Sequence, residues 1–416
     1  MQLGVKPALR WGRAPKALPE DQERNRKMME VQRQCEKEGK PVINMWEGDP
    51  VIFGHTNPKL SKHLVEAAEK GLDMYLGVSG CLPELIKAIS GFEKKYRGCE
   101  YSPEDIIVTQ GVAGAFAIIH DALLDPGDVI IGPDPSHYVG LPTSYFYAYE
   151  ARCIGFPCLE EDEWRPDLDK LRASITDKTK AITIVSPNNP CGNVYDDRTL
   201  KSIIDIAGEH DIPVVSDEIY GLLTFDGVEA KSAAYLAGDV PVIVLNGMAK
   251  IFQRTGWYIG YICFHDPKGR MTEVKNAIRA VSRLYGHYSQ RIPTPIVYAA
   301  TKAYEGDLDA SKEMVKKLQE RRDYTMKRLS EIKGISCFKP KAALYAFPRV
   351  DAIGRVWKTD DDFIYDFLKE EKVRFTPGRA FGKLGAGHFR TLLLPDMKTL
   401  EMVYDRLASF MKRHVV

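Results

Sequence analysis

The stretch from residue 213 to residue 260 constrains this chain more than any other. It holds two apolar runs, at 213–216 and 240–245, and each ends in polar residues. The first runs into Asp217-Glu-Ile-Tyr220. The second runs into Asn-Gly-Met-Ala-Lys250, followed by Ile-Phe-Gln-Arg254-Thr-Gly-Trp-Tyr258-Ile-Gly260. Continuous β-branched runs of this kind suit strands buried on both faces of a parallel sheet. In such a sheet ligands bind beyond the carboxyl ends of the strands. Asp217, Tyr220 and Lys250 are therefore expected to converge on one crevice.

The same alternation extends upstream. Residues 106–109, 128–131, 151–156 and 180–185 read as strands. Residues 115–124, 167–175 and 198–209 read as helices, and 242–245 and 258–264 are expected to join the sheet. After Pro267 the pattern turns helical, at 268–286, 293–304 and 308–333. Short strands then follow at 335–338, 343–347, 372–375 and 388–393, with helices at 360–370 and 396–412. The expected fold is α/β: a large domain with a mostly parallel sheet sandwiched by helices, plus a smaller α+β domain. The expected boundaries are 55–309 for the large, cofactor-binding domain and 1–54 with 310–416 for the small one. Leu85, Ile86, Ile89 and Phe92 recur at helical spacing within 83–96. Residues 17–40 carry charges of both signs, with Met28, Met29 and Val31 between them. That pattern suits a solvated helix rather than a nucleic-acid arm.

Composition excludes more than it assigns. The 416 residues are ample for a sizeable core. A net charge of +1 offers no electrostatic case for nucleic acid or an anionic membrane. No apolar run reaches the length of a transmembrane helix. The first residues, Met-Gln-Leu-Gly-Val-Lys, lack an apolar signal core, so the cytoplasm is the expected compartment. Eight cysteines show no Cys-x-x-Cys pair, and Cys81, Cys153 and Cys263 sit in apolar settings. Free buried thiols are expected rather than disulfides or zinc. Nine histidines form no His-x-x-x-His pair, and no metal site is expected.

The polar groups at the strand ends carry the chemistry. Lys250 is flanked by Leu245, Met248, Ala249, Ile251 and Phe252, so burial would free its amine as a nucleophile. Asp217 could cap a helix, or could hold a pyridinium nitrogen charged. An amine, a carboxylate and the Tyr220 phenol in one dry crevice form the set that pyridoxal 5'-phosphate chemistry needs. Ser186-Pro-Asn-Asn189-Pro-Cys191-Gly192 demands a fixed turn and would present Asn189 beside the ring. Gly111-Val112-Ala113-Gly114 lies between a strand and a helix, where backbone N–H groups approach a phosphate. Arg390 carries a guanidinium fork that suits a carboxylate, although a structural salt bridge is the blander reading. Gly378-Arg-Ala-Phe-Gly382-Lys383-Leu is not a P-loop. It has three residues between its glycines where four are needed, and leucine where Ser or Thr is needed.

Taken together, these residues resemble the class I/II aminotransferases, fold-type I pyridoxal phosphate enzymes. The matching segments are Gly48-Asp-Pro50, Tyr75 with Gly80 and Pro-Glu-Leu85, Gly111–Gly114, Asn189-Pro-Cys-Gly192, Asp217-Glu-Ile-Tyr220, Lys250 with Thr-Gly-Trp257, and Arg390. Gly-Asp-Pro-Val-Ile-Phe-Gly54 and Ala343-Leu-Tyr-Ala-Phe-Pro348 are most similar to the alanine and tyrosine aminotransferase branches. The resemblance implies a ping-pong exchange of an amino group between an L-amino acid and a 2-oxo acid. It implies Lys250 as the Schiff-base lysine, Asp217 on the ring nitrogen, and Asn189 and Tyr220 on the phenolic oxygen. Arg390, with Gly48 and Asn189, would hold the substrate carboxylate. Tyr75 would reach a phosphate in the partner subunit, which implies a homodimer with shared sites. The ring-stacking aromatic would be His137 or Tyr138. Trp46, Tyr75 and the segment 287–289 are expected near the substrate.

Three positions depart from the family pattern. The arginine usual eight residues after the lysine is Tyr258, the usual serine is Gly247, and the turn threonine is Cys191. Arg254, four residues after Lys250, is expected to supply the missing charge to the phosphate. A lyase, decarboxylase or amino-acid oxidase would use the same ring-binding set, so the reaction class is left to further observation.

Overall fold

The computed structural model describes residues 19–140, 150–288 and 291–415. Eight strands make the central sheet: β1 (Ile106–Gln110), β2 (Val129–Asp134), β3 (Arg152–Leu159), β4 (Arg165–Pro166), β5 (Thr179–Val185), β6 (Val214–Asp217), β7 (Val242–Gly247) and β8 (Ile259–His265). Their spatial order is β1-β8-β7-β6-β5-β2-β3-β4. The five strands from β7 to β3 run parallel, as the apolar runs imply. β8 is one of the exceptions that make the sheet mostly rather than wholly parallel, since it lies antiparallel to both β7 and β1. β4 is also antiparallel to its neighbour. The connection from β7 to β8, residues 248–258, holds only the short 3-10 turn Thr255–Trp257 and no crossover helix, so the chain returns antiparallel to its neighbour.

Residues alternate between two cores across the sheet. Val214, Val242, Val244 and Tyr261 point into one; Val215, Ile243, Leu245 and Ile262 point into the other. The helices Gly111–Leu123 and Thr272–Tyr288 contribute Ile118, Ile119 and Ile278 to the second core. Burial on both faces explains why these strands read as unbroken apolar runs.

The register places the strand ends on one line. Val185 of β5 pairs with Asp217 of β6, which pairs with Leu245 of β7. The segments that leave these strands carry Asn189, Tyr220 and Lys250, so all three start from one edge.

Three small sheets accompany the central one. Ile43–Asn44 pairs in parallel with Val373–Arg374. Phe389–Leu392 pairs antiparallel with Tyr345–Ala346 and Thr376–Pro377. These pairings bring Trp46, Tyr345, Thr376 and Arg390 together from distant parts of the chain. Ile335–Ser336 and Arg349–Val350 form the remaining pair. The helices read from sequence appear at Pro19–Lys37, Cys81–Arg97, Thr294–Glu305, Asp309–Ser330, Asp360–Glu371 and Met397–Val415. All eight cysteines are free; Cys81 and Cys263 are buried and Cys153 is half-buried. No helix among the described residues is long and apolar enough to cross a membrane.

Candidate active site

A crevice of about 820 Å³ opens where the strand ends meet the small sheets. Lys250, Asp217, Tyr220, Asn189, His137, Tyr138, Gly48, Trp46, Val112, Ala113 and Arg390 all line it.

Lys250 is aimed inward by its neighbours. Met248 and Phe252 are buried, and the Met248 N–H is tied to the Ile259 carbonyl. Lys250 is half-buried, and its Nζ donates to the Gly48 carbonyl at 2.6 Å. Thr255 Oγ1 donates to the Asp49 carboxylate at 2.9 Å, which pins the same loop to the N-terminal segment.

Asp217 ends β6 as a buried carboxylate. Its Oδ1 accepts from the Ile219 N–H at 3.1 Å. Burial raises its pKa to about 7, the Glu218 charge adds to this, and the Ile219 N–H and Lys250 oppose it. A buried carboxylate so destabilised is relieved by a cationic partner, and a protonated ring nitrogen is one. Tyr220 Oη lies 3.0 Å from Tyr345 Oη, and the two rings meet edge to face.

Glu218, the next residue, points the other way. It pairs with Arg97 at 2.8 Å, and the two side chains are 1% and 3% exposed. Ser216, Ser232 and the Ala233 N–H also donate to it. Glu93 lies in the same interior. It accepts from Tyr261 and Asn246, and burial raises its pKa to about 7. This network holds β6 and the start of the lysine loop from behind. Arg97→Met should cost about 3–5 kcal/mol in urea unfolding, because Glu218 would be left as a buried unpaired charge. A loss below about 1 kcal/mol would show that the pair does not hold these segments.

Arg390 lies in the strand Phe389–Leu392. Its guanidinium donates to Asn189 Oδ1 at 3.1 Å and to the Trp46 carbonyl, and sits 4.4 Å from the Tyr345 ring centroid. Its buried Nε has no partner. A buried guanidinium with a spare N–H at a crevice wall suits a carboxylate. Gly48 is required beside it, since a Cβ there would come within 2.2 Å of Tyr345 Oη. Tyr345 and Thr376 were missed in sequence. Only their strand pairing with Phe389–Leu392 brings them here.

His137 and Tyr138 separate by exposure. Tyr138 is buried, and its hydroxyl lies 2.6 Å from His120 Nε2. His137 opens onto the crevice, with its N–H on the Asn189 carbonyl at 2.7 Å. The surrounding protein pushes the His137 pKa down to about 4, and the Arg390 and Lys250 charges push the same way. Water reaching the open face of the ring offsets part of that shift.

Four expectations are corrected or fall elsewhere. Arg254 does not line the crevice. Its guanidinium donates to the carbonyls of Gln253 and Asn57 and to Ser61 Oγ. It is therefore a clasp on the start of the helix Pro58–Glu69, on the far side of its turn. Gly114 is buried within the helix Gly111–Leu123, and only Gly111, Val112 and Ala113 of that turn face the crevice. Tyr75 is 76% exposed and lies outside its own chain's crevice, with the Arg291 guanidinium over its ring. Ser289 lies outside the described residues, as do the side chains of His287 and Tyr288. The Gly378–Gly385 loop, already set aside as a phosphate loop, serves an internal carboxylate: Asp134 accepts from the Lys383 and Leu384 N–H groups.

A mostly parallel sheet with a lysine, a buried aspartate and an arginine at its carboxyl edge defines a pyridoxal phosphate enzyme of the fold-type I class. Comparison with known proteins makes this specific. The family described as aminotransferase class I and II matches residues 40–407, and the chain belongs to it. The chain is 31% identical over 385 residues to a glutamate-pyruvate aminotransferase of Escherichia coli, covering 91% of this chain and 92% of that one. It is 32% identical over 384 residues to an aspartate aminotransferase of Bacillus subtilis, covering 90% and 93%. Among solved structures, an alanine aminotransferase from Pyrococcus furiosus superposes with a TM-score of 0.88 at 40% identity, covering 98% of this chain and 100% of that one. The protein is thus a pyridoxal phosphate-dependent transaminase acting on amino acids and 2-oxo acids.

Proposed function

We propose the following division of labour within the crevice. The cofactor, when bound, supplies an electron sink for charge developing at the substrate Cα. Lys250 would hold the cofactor through its amine, and the same amine would serve as the base that moves a proton at the substrate Cα. Asp217 keeps the ring nitrogen protonated. Tyr220 donates to the phenolic oxygen and Asn189 flanks it. His137 packs on the ring face; Tyr138, committed to His120 and buried, supports the wall behind it. The N–H groups of Val112 and Ala113 face the phosphate. Arg390 clamps the substrate α-carboxylate, and Gly48 leaves room for it.

The observation that carries this reading is the sharing of one crevice by Lys250, Asp217 and Arg390. In this reading residues 55–309 form the large cofactor-binding unit, and residues 1–54 with 310–416 form the small one that brings Arg390. The active form is a cytoplasmic homodimer in which Tyr75 of the partner subunit completes each site. The exposure of Tyr75 away from its own crevice supports that role.

Likeness to an alanine aminotransferase makes alanine with a 2-oxo acid acceptor the pair for the test. Borohydride reduction of the holoenzyme, followed by peptide mapping, should leave the pyridoxyl group on Lys250. An adduct on another lysine, or on none, would overturn the assignment. A half-reaction that returned no oxo acid from any amino acid would favour a lyase or decarboxylase.

A further inference from the structure

We propose that Tyr258 is the side-chain ligand of the cofactor phosphate, within a cradle that has no cation of its own. This rests on the placement of the cofactor in the crevice argued above.

Among the described residues, the lysines and arginines on the crevice wall are Lys250 and Arg390. Lys250 is the proposed anchor, and Arg390 is bound to Asn189 and the Trp46 carbonyl. Arg254 is spent on Asn57, Gln253 and Ser61. Among the described residues no further arginine or lysine reaches the wall.

Tyr258 stands beside the turn whose residues Gly111, Val112 and Ala113 line the crevice. Its carbonyl accepts the Gly111 N–H at 2.8 Å. Its side chain is 65% exposed although it lines the crevice, and no described residue bonds its hydroxyl. Its φ is +51°, a left-handed conformation that a non-glycine residue adopts only at a cost. Strain held in place at a ligand site is a mark of function.

The glycine at 247 belongs to the same construction. A Cβ there would lie 2.6 Å from the Ile259 carbonyl oxygen and 3.0 Å from Gly260 Cα. A Cβ on Gly260 would lie 2.3 Å from the Gly111 carbonyl carbon. Three backbones stack at Gly247, Gly260 and Gly111. No side-chain donor fits at 247 in this packing, so the hydroxyl comes instead from Tyr258. The phosphate is then met by the Val112 and Ala113 N–H groups, the helix dipole and one phenol.

Amides and a helix dipole favour the dianion less than a guanidinium does, so the bound phosphate should take up its second proton at a higher pH than it does in Tyr258→Arg. The test compares pyridoxal 5'-phosphate with pyridoxal, which lacks the phosphate, by equilibrium dialysis of the holoenzyme and its variants. Tyr258→Phe should weaken pyridoxal 5'-phosphate about tenfold and leave pyridoxal unchanged. Tyr258→Arg should tighten pyridoxal 5'-phosphate about tenfold, with the same selectivity. Arg254→Ala should leave the ratio of the two affinities unchanged. Phosphorus NMR should show the bound phosphate titrating at a higher pH in the wild type than in Tyr258→Arg. The proposal is overturned if neither Tyr258 variant moves the ratio, if Arg254→Ala does, or if the wild-type phosphate titrates no higher than that of Tyr258→Arg. Loss of pyridoxal binding as well, or trapping away from Lys250, would instead sink the placement of the cofactor.

Discussion

Lys250→Ala should abolish transamination, lowering kcat by about 10⁴-fold or more. A positioned general base alone contributes roughly 10²–10⁴, and the covalent anchor is lost with the same amine. The fold should survive, because Lys250 is half-buried and, among the described residues, its amine donates to the Gly48 carbonyl alone. Stopped-flow mixing of the variant with alanine and the cofactor should show no proton removal from Cα above the free-solution rate. Rescue by added small amines would support the base role, since they could carry the proton without refilling the anchor. Activity within tenfold of wild type would remove Lys250 from the chemistry.

Asp217→Asn should lower kcat by about 10²–10³-fold, the usual cost of deleting one preorganised electrostatic partner. The shape is kept, and only the charge facing the ring nitrogen is lost. The same variant should change how stability depends on pH in the cofactor-free protein. The folded pKa is raised to about 7 by burial, well above the ordinary value of 3.8. Between these values the folded state keeps the proton that the unfolded state gives up. The folded state therefore binds more protons there, and stability falls as pH rises from about 4 to about 7. Above that window the burial cost is complete, at about 4 kcal/mol. Cofactor-free Asp217→Asn should equal wild type near pH 4 and exceed it in urea unfolding by up to that amount near pH 8. Glu93 adds a slope of the same sign to both proteins, so the difference isolates Asp217. Equal slopes for the two proteins would mean that Asp217 is not a buried acid. The cofactor's ring nitrogen, by pairing with the carboxylate, should restore stability at neutral pH.

Much of this site was legible because it consists of strand ends. Val185, Asp217 and Leu245 close three parallel strands on one line, and β-branched runs announce such strands in any sequence. Lys250, Asn189 and Tyr220 followed from that line. The direction of β8 was not legible, since a strand buried on both faces reads the same way in either orientation. The helix Pro58–Glu69 was not read at all; only Leu60 and Ala67 of its residues are fully buried, too sparse a stripe to announce it. Arg254 was misjudged because spacing along a turn does not say which side a side chain leaves from. Tyr345 and Thr376 were invisible, being near Arg390 only through antiparallel pairing.

By itself the sequence determined which chemical groups were present and which of them end strands, because hydrophobic periodicity and side-chain chemistry are local properties. Tertiary structure alone decided which way the turn from Lys250 to Tyr258 faces. That orientation is set by bonds between distant backbones, such as Gly111 N–H to the Tyr258 carbonyl and Arg254 to Asn57. No local pattern encodes contacts of that kind, so the cation drawn to the outside and the phenol left facing the crevice became visible only in three dimensions.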